Sequence, residues 1–229
     1  MNINDFVITS ASAKYTGVGA KTTSPAADKV GAAVTAGLEK AEKRIQAQVD
    51  ATSVQLSSLG KLKSSVSGAQ LAAHALGGLS ATATSAAEKT AAADFVTAFN
   101  SALTTAKTTA AAPGDMALTS SANRTSKGLQ SAISADRPTL EALKKIGFSV
   151  STDGTLALDT KKFDAAQKAD ATGVRATLVK MGKQVDKTAS KELAADGNVG
   201  LSLSTFNQRA NTLKSQQSTL ASLKATGGL

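Results

Sequence analysis

The chain has 229 residues, of which 41% are hydrophobic, 19% charged and 3% aromatic, and it carries a formal charge of +9. It lacks Cys and has a single His, His74, which excludes disulfides, thiolate nucleophiles, Cys-type zinc sites and multi-histidine metal sites. Alanine supplies about half of the hydrophobic set, and at about 25 cal/mol per Å² its small side chain gains little by burial.

Residues 1–37 are rich in Ala, Thr, Ser and Gly and show no sustained apolar period, so they read as an extended arm. From Leu38 a heptad seam steps through Glu42, Ile45, Val49, Thr52, Leu56, Leu59, Lys63 and Val66. The resulting coiled-coil helix, assigned to 38–79, is expected to stop at Gly77-Gly78.

A helical core is expected over 80–198. Its first helix, about 85–112, carries Phe95, Val96, Phe99 and Leu103 and stops at Pro113-Gly114. A second runs from about Asp115 to Ser134. A short third starts with Pro138 in its first turn and ends before Gly147.

The stretch 148–158 carries the β signal. A three-residue loop, Thr152-Asp153-Gly154, pairs Val150 with Leu156 and Phe148 with Leu158, placing all four large side chains on one face. That register predicts a type I turn with Gly154 left-handed in a G1 bulge. Asp159 or Thr160 then caps a helix through about Ala169, and Thr172 caps another carrying Val174, Leu178, Met181, Val185 and Leu193.

After the turn Asp196-Gly197-Asn198, residues 199–229 hold a second seam: Val199, Leu203, Phe206, Ala210, Leu213, Gln217 and Leu220. Pairing of the two terminal seams, and separate packing of each on a globular core, both fit this pattern. The fold class expected is mainly α, with paired N- and C-terminal coiled-coil helices flanking a helical core with one small hairpin.

The +9 charge is spread along the chain, with no segment holding more than +3 of it, and the lysines from Lys161 to Lys191 alternate with acidic residues. Without a basic patch or aromatic platforms, nucleic acid is not an expected partner. Gly17-Val-Gly-Ala-Lys21-Thr22 departs from a phosphate-binding loop because Ala20 separates Gly19 from the lysine. Ser58-Leu-Gly-Lys61 has no companion motif, His74 has no apparent nucleophile, and Asn123-Arg-Thr125 is only a formal glycosylation sequon. No catalytic, metal or cofactor site is expected, nor a membrane span or a cleaved signal peptide.

The run from Leu140 through Ile146-Gly147, Asp153-Gly-Thr-Leu-Ala-Leu-Asp159 and Phe163 resembles the C-terminal signature of hook-associated protein 2, the flagellar filament-capping family. Leu56-Ser-Ser-Leu-Gly60 is similar to that family's N-terminal helix. Asp94-Phe95-Val-Thr-Ala-Phe99-Asn100 is similar to its Phe-Val-x-Ala-Tyr-Asn helix, with Phe99 in place of Tyr. The resemblance implies a structural, self-assembling protein of an extracellular flagellar filament, exported by the flagellar type III apparatus. Its partners would be copies of itself, with flagellin or other filament subunits as further candidates.

Family members carry β-rich outer domains between those two helices, whereas here only residues 79–93 separate them. A cap reduced to its filament-packing core is therefore implied. The alternatives are a flagellin-like or sheath subunit that polymerises along the filament, or a coiled-coil module that recruits a partner. The expected assembly seam comprises Leu38, Ile45, Val49, Leu56, Leu59, Val66, Leu203, Phe206, Leu213 and Leu220, and the expected hairpin core comprises Phe148, Val150, Gly154, Leu156 and Leu158.

Overall fold

The computed structural model describes residues 25–112 and 114–226. Six helices and one hairpin follow in order: α1 (Pro25–Gly77), α2 (Ser85–Ala111), α3 (Met116–Ser134), α4 (Arg137–Lys145), β1 (Phe148–Val150), β2 (Leu156–Leu158), α5 (Thr160–Leu193) and α6 (Asn198–Thr226).

Helix α1 has 53 residues, a rod of about 80 Å at 1.5 Å per residue. It begins at Pro25 and not at Leu38, which corrects the extended arm expected through residue 37. The segment 26–37 lacks an apolar period but is rich in Ala, the strongest helix former, and proline is preorganised for a first helical position. Residues 1–24, with the Gly17–Thr22 motif, lie outside the described residues.

Most of the other helix starts are set by acidic or hydroxyl caps. Thr84 accepts from the Ala87 amide (3.2 Å), Asp115 from those of Ala117 and Leu118, and Asp159 from those of Lys161 and Lys162. Helix α5 contains a kink at Asp170 (φ −153°, ψ 80°), whose carboxylate accepts from the Gly173 amide at 2.8 Å. The break expected between Ala169 and Thr172 is therefore present, but the capping residue is Asp170.

The hairpin is antiparallel with Phe148 opposite Leu158 and Val150 opposite Leu156, the register that burial of the large side chains requires. The Gly154 amide donates to the Ser151 carbonyl (2.9 Å), the Ser151 amide to the Thr155 carbonyl (2.9 Å), and Gly154 has φ +86°. This is the predicted three-residue turn with a left-handed glycine. Phe148 and Leu156 are buried, while Val150 and Leu158 are half-buried against the main core.

Asn100 on α2 fills the role of a neighbouring strand. Its amide donates to the Leu156 carbonyl and its Oδ1 accepts from the Leu156 amide, both at 2.8 Å. The two backbone groups of β2 that face α2 are thereby satisfied.

Helix α1 runs antiparallel to both α5 and α6. Gln70 bonds Ser190, and His74 meets Asp186 near its C-terminal end. Gln46 bonds Gln217, and Glu42 pairs with Lys224 nearer its N-terminal end. The α1–α5 crossing is tight: a Cβ on Gly182 would lie 2.4 Å from the Gly77 nitrogen and 2.6 Å from the Ala73 oxygen.

The main core lies between the C-terminal half of α1, α2, α3, α5 and the hairpin. Leu59, Leu62, Val66, Phe95, Phe99, Leu103, Leu129, Phe163, Leu178 and Met181 are all fully buried there.

Candidate assembly surface

The expected seam divides into two clusters. Leu59, Val66 and Phe206 are buried in the main core, with Leu56 and Leu203 packed at its edge. Ile45, Leu213 and Leu220 form a separate, smaller cluster joined by Leu38, Ala41 and Val49. The terminal seams therefore pair with each other over one half of their length and pack on the core over the other. Both readings open at the sequence level hold, each for its own part of the chain.

The phase of the seam needs correction at two steps. Ala41 packs into the small cluster where the heptad pattern placed Glu42, and Leu62 is fully buried where it placed Lys63. Glu42 sits at the rim, paired with Lys224. Below Leu59 helix α1 packs against both α2 and α5, so its buried stripe widens to Leu59, Leu62, Val66, Ala69, Ala73 and Leu76.

The N-terminal half of α1 and the C-terminal half of α6 form an arm with a thin core. Ile45 (8% exposed), Leu213 (4%) and Leu220 (9%) are its buried hydrophobics, whereas most residues of the main cluster are at zero. Val34 and Leu223 remain exposed on the arm, and Val54 and Leu201 near its base.

Between the two clusters lies Thr52, which is 1% exposed and whose Oγ1 has no hydrogen-bond partner; the Oε1 of Gln55, one turn on, is also buried and unpaired. On α6 the core's hold extends to Arg209, which donates to Asp115, the cap of α3 (3.2 Å). Ser121 of α3 donates to the Asn198 carbonyl (2.7 Å) and accepts from Ser202 (2.8 Å).

Two buried glutamates, not marked by any local sequence pattern, tie the chain reversals. Glu88 is fully buried, accepts from Gln167 at 2.9 Å and is ion-paired with Arg175. The same guanidinium donates to the carbonyls of Ala81 and Ala83, clamping the 78–84 loop that joins α1 to α2. Glu192 accepts from Thr125 and Asn198, each at 2.8 Å, and holds the turn between α5 and α6.

At the surface, hydrogen bonds and an ion pair pull two aspartates well below the ordinary carboxylate range. Asp136 is held at about 2, first by Lys180 and then by the Thr139 hydroxyl. Asp153, in the hairpin turn, is held at about 2 by Thr155 and then by Lys107.

The isolated motif-like residues of the sequence have structural uses. Ser58 donates to the Val54 carbonyl of its own helix, and exposed His74 meets Asp186. Thr125 of the formal sequon is fully buried inside α3. A groove of about 560 Å³ between α1 and α2 is lined by small and polar side chains, among them Lys61, Ser64, Gly68, Asp94 and Thr97. Among the described residues no group of three or more His, Asp or Glu side chains is placed to hold a metal, and no helix is long and apolar enough to cross a membrane.

A family model described as the flagellar hook-associated protein 2 C-terminus matches residues 79–226. No curated protein and no solved structure matches the chain significantly. The matched span starts in the 78–84 loop and includes α2 with its Asn100 contact, the hairpin, the Asp170 kink and α6.

Proposed function

Since the chain belongs to the flagellar hook-associated protein 2 family, we propose that it is a self-assembling subunit of the extracellular flagellar filament, a cap reduced to its filament-packing core. Members of the family are structural proteins of the flagellum and not enzymes. The partners of this chain are copies of itself, flagellin or other filament subunits.

The observation that carries the proposal is the α1–α6 arm. Two long helices share only a small apolar cluster, with Val34 and Leu223 exposed beside it. A two-helix seam this thin gains most when neighbouring subunits complete its core. The arm is then the filament-packing element, and the better-filled helical core is the rigid body that carries it.

A second reading is supported by the 78–84 loop. Residues that follow α1 lead directly into α2, so the β-rich outer domains implied by the family resemblance have no place between them. A subunit of this outline could polymerise along the filament. The two readings differ in closure: a cap closes into a ring of few copies, whereas a repeated non-closing contact gives an open helix.

Electron microscopy of the purified protein, alone and mixed with flagellin, tests both. Small closed rings or complexes at filament ends support the cap, and long tubes support the polymerising subunit. A protein that stays monomeric at high concentration in both conditions refutes assembly.

A further inference from the structure

We propose that α3 and the C-terminal half of α5 form a docking surface for an acidic helix of a partner protein. This stands apart from whether the chain assembles with itself. Between Lys161 and Lys191 basic and acidic residues alternate along the sequence, but folding separates them. Asp164 pairs with Lys89 of α2, Asp170 caps its own kink, and Asp186 turns toward His74 of α1. Lys180, Lys183, Lys187 and Lys191 are left exposed. At 3.6 residues per turn they share an arc of about 80° and make a ridge about 16 Å long.

Helix α3, which carries no acidic residue, runs beside this ridge. The Thr125–Glu192 bond joins them at one end, and the Asp136–Lys180 pair (2.6 Å) joins them just past the other. Helix α3 adds the exposed cations Arg124 and Lys127. Of these six cations only Lys180 has an ion-pair partner among the described residues. A groove of about 470 Å³ lies between the ridge and the end of α3, and Ser131, Ala132, Ala135 and Thr188 are among the small side chains that line it.

Charge complementarity and spacing identify the occupant. The four lysines recur every three or four residues, the period at which side chains share one helix face. A second helix with carboxylates at the same period, laid along the groove, meets each of them, and the small lining residues let it come close. Nucleic acid fits less well. The ridge is short, and neither helix has an exposed aromatic side chain on which a base could stack.

Fluorescence anisotropy with the full chain tests this. The probe is a labelled helical peptide of Ala and Gln with Glu three or four residues apart on one face. It should bind at low salt and be released as salt is raised. Replacing Lys183, Lys187 and Lys191 together by Gln should weaken binding at least about tenfold. Lys161, Lys162 and Lys168 are also exposed, and their joint replacement by Gln removes the same charge but should leave binding unchanged. Arg at 183, 187 and 191 should retain it. Absence of binding, or equal losses in the two Gln variants, would overturn the proposal. So would equal binding of a peptide with its Glu residues scattered around the helix, or tighter binding of duplex DNA carrying the same total charge.

Discussion

Replacing Gly182 by alanine should destabilise the protein, although alanine is the better helix former. In an open helix interior the exchange gains about 1 kcal/mol. At Gly182 the new Cβ would stand 2.4 Å from the Gly77 nitrogen, 2.6 Å from the Ala73 oxygen and 2.9 Å from the Gly77 Cα, all backbone atoms of α1. Ordinary contact starts near 3.4 Å, so the two helices must part by about 1 Å, and a gap of that size forfeits up to about half the dispersion energy of the contacts it opens.

The contacts affected are those of Ala73, Leu76, Met181 and Val185, all fully buried. Backbone atoms on both sides of the clash cannot swing aside, which places the cost at the top of the overpacking range, about 3 kcal/mol, and the net loss at about 2 kcal/mol after the propensity gain. Gly68→Ala provides the control. A Cβ there meets nothing within 4 Å, so the propensity gain of about 1 kcal/mol should appear undiminished. Urea unfolding monitored by circular dichroism measures both. If Gly182→Ala were as stable as the wild type while Gly68→Ala gained stability, the close α1–α5 approach would be wrong.

Gly154→Val should cost about 1–2 kcal/mol, because a β-branched residue is forced to φ +86° in the hairpin turn; an unchanged thermal midpoint would contradict the turn geometry. Arg175→Ala leaves Glu88 buried without its cation and should cost about 3 kcal/mol in denaturant titration. Asp136 and Asp153 titrate near 2 when folded against 3.8 ordinarily. Their contribution to stability is therefore complete above about pH 4 and lost as pH falls toward 2, and Asp153→Asn should flatten that acid limb. Ile45→Asp or Leu213→Asp should abolish assembly in electron microscopy while near-native core exchange rates persist; a variant that still forms rings or tubes would remove the arm from the interface.

The elements legible in the sequence were those with a short-range physical signature. The period of two and the Asp153-Gly154 pair set the hairpin register, and Gly77-Gly78, Asp115, Pro138 and Asp159 marked helix ends within a residue or two. The start of α1 is not legible, because an Ala-rich segment forms a helix without showing an apolar stripe. The seam was legible in its spacing but not in its phase, since Leu62 displaces Lys63 only because α1 has two neighbours below Leu59. Glu88 and Glu192 resemble solvated charges in the sequence, and their partners Arg175 and Thr125 lie far along the chain. Asn100 belongs to the family motif in the sequence, but its pairing with the Leu156 backbone exists only with α2 laid beside β2.

The clamp on the 78–84 loop bears on how such a protein can be elaborated. Arg175 fixes the carbonyls of Ala81 and Ala83 from α5, and Glu88 anchors Arg175 from α2, so the base of the loop is held by groups outside it. Lengthening the chain between Leu79 and Ser80 would leave that base in place. Each doubling of a flexible loop adds only about 0.6 kcal/mol of closure entropy, and an inserted folded unit whose own ends lie close together would add less. Gain or loss of material at this one point is thus nearly decoupled from the stability of the helices beneath it, and the same core can persist through large changes in what it carries.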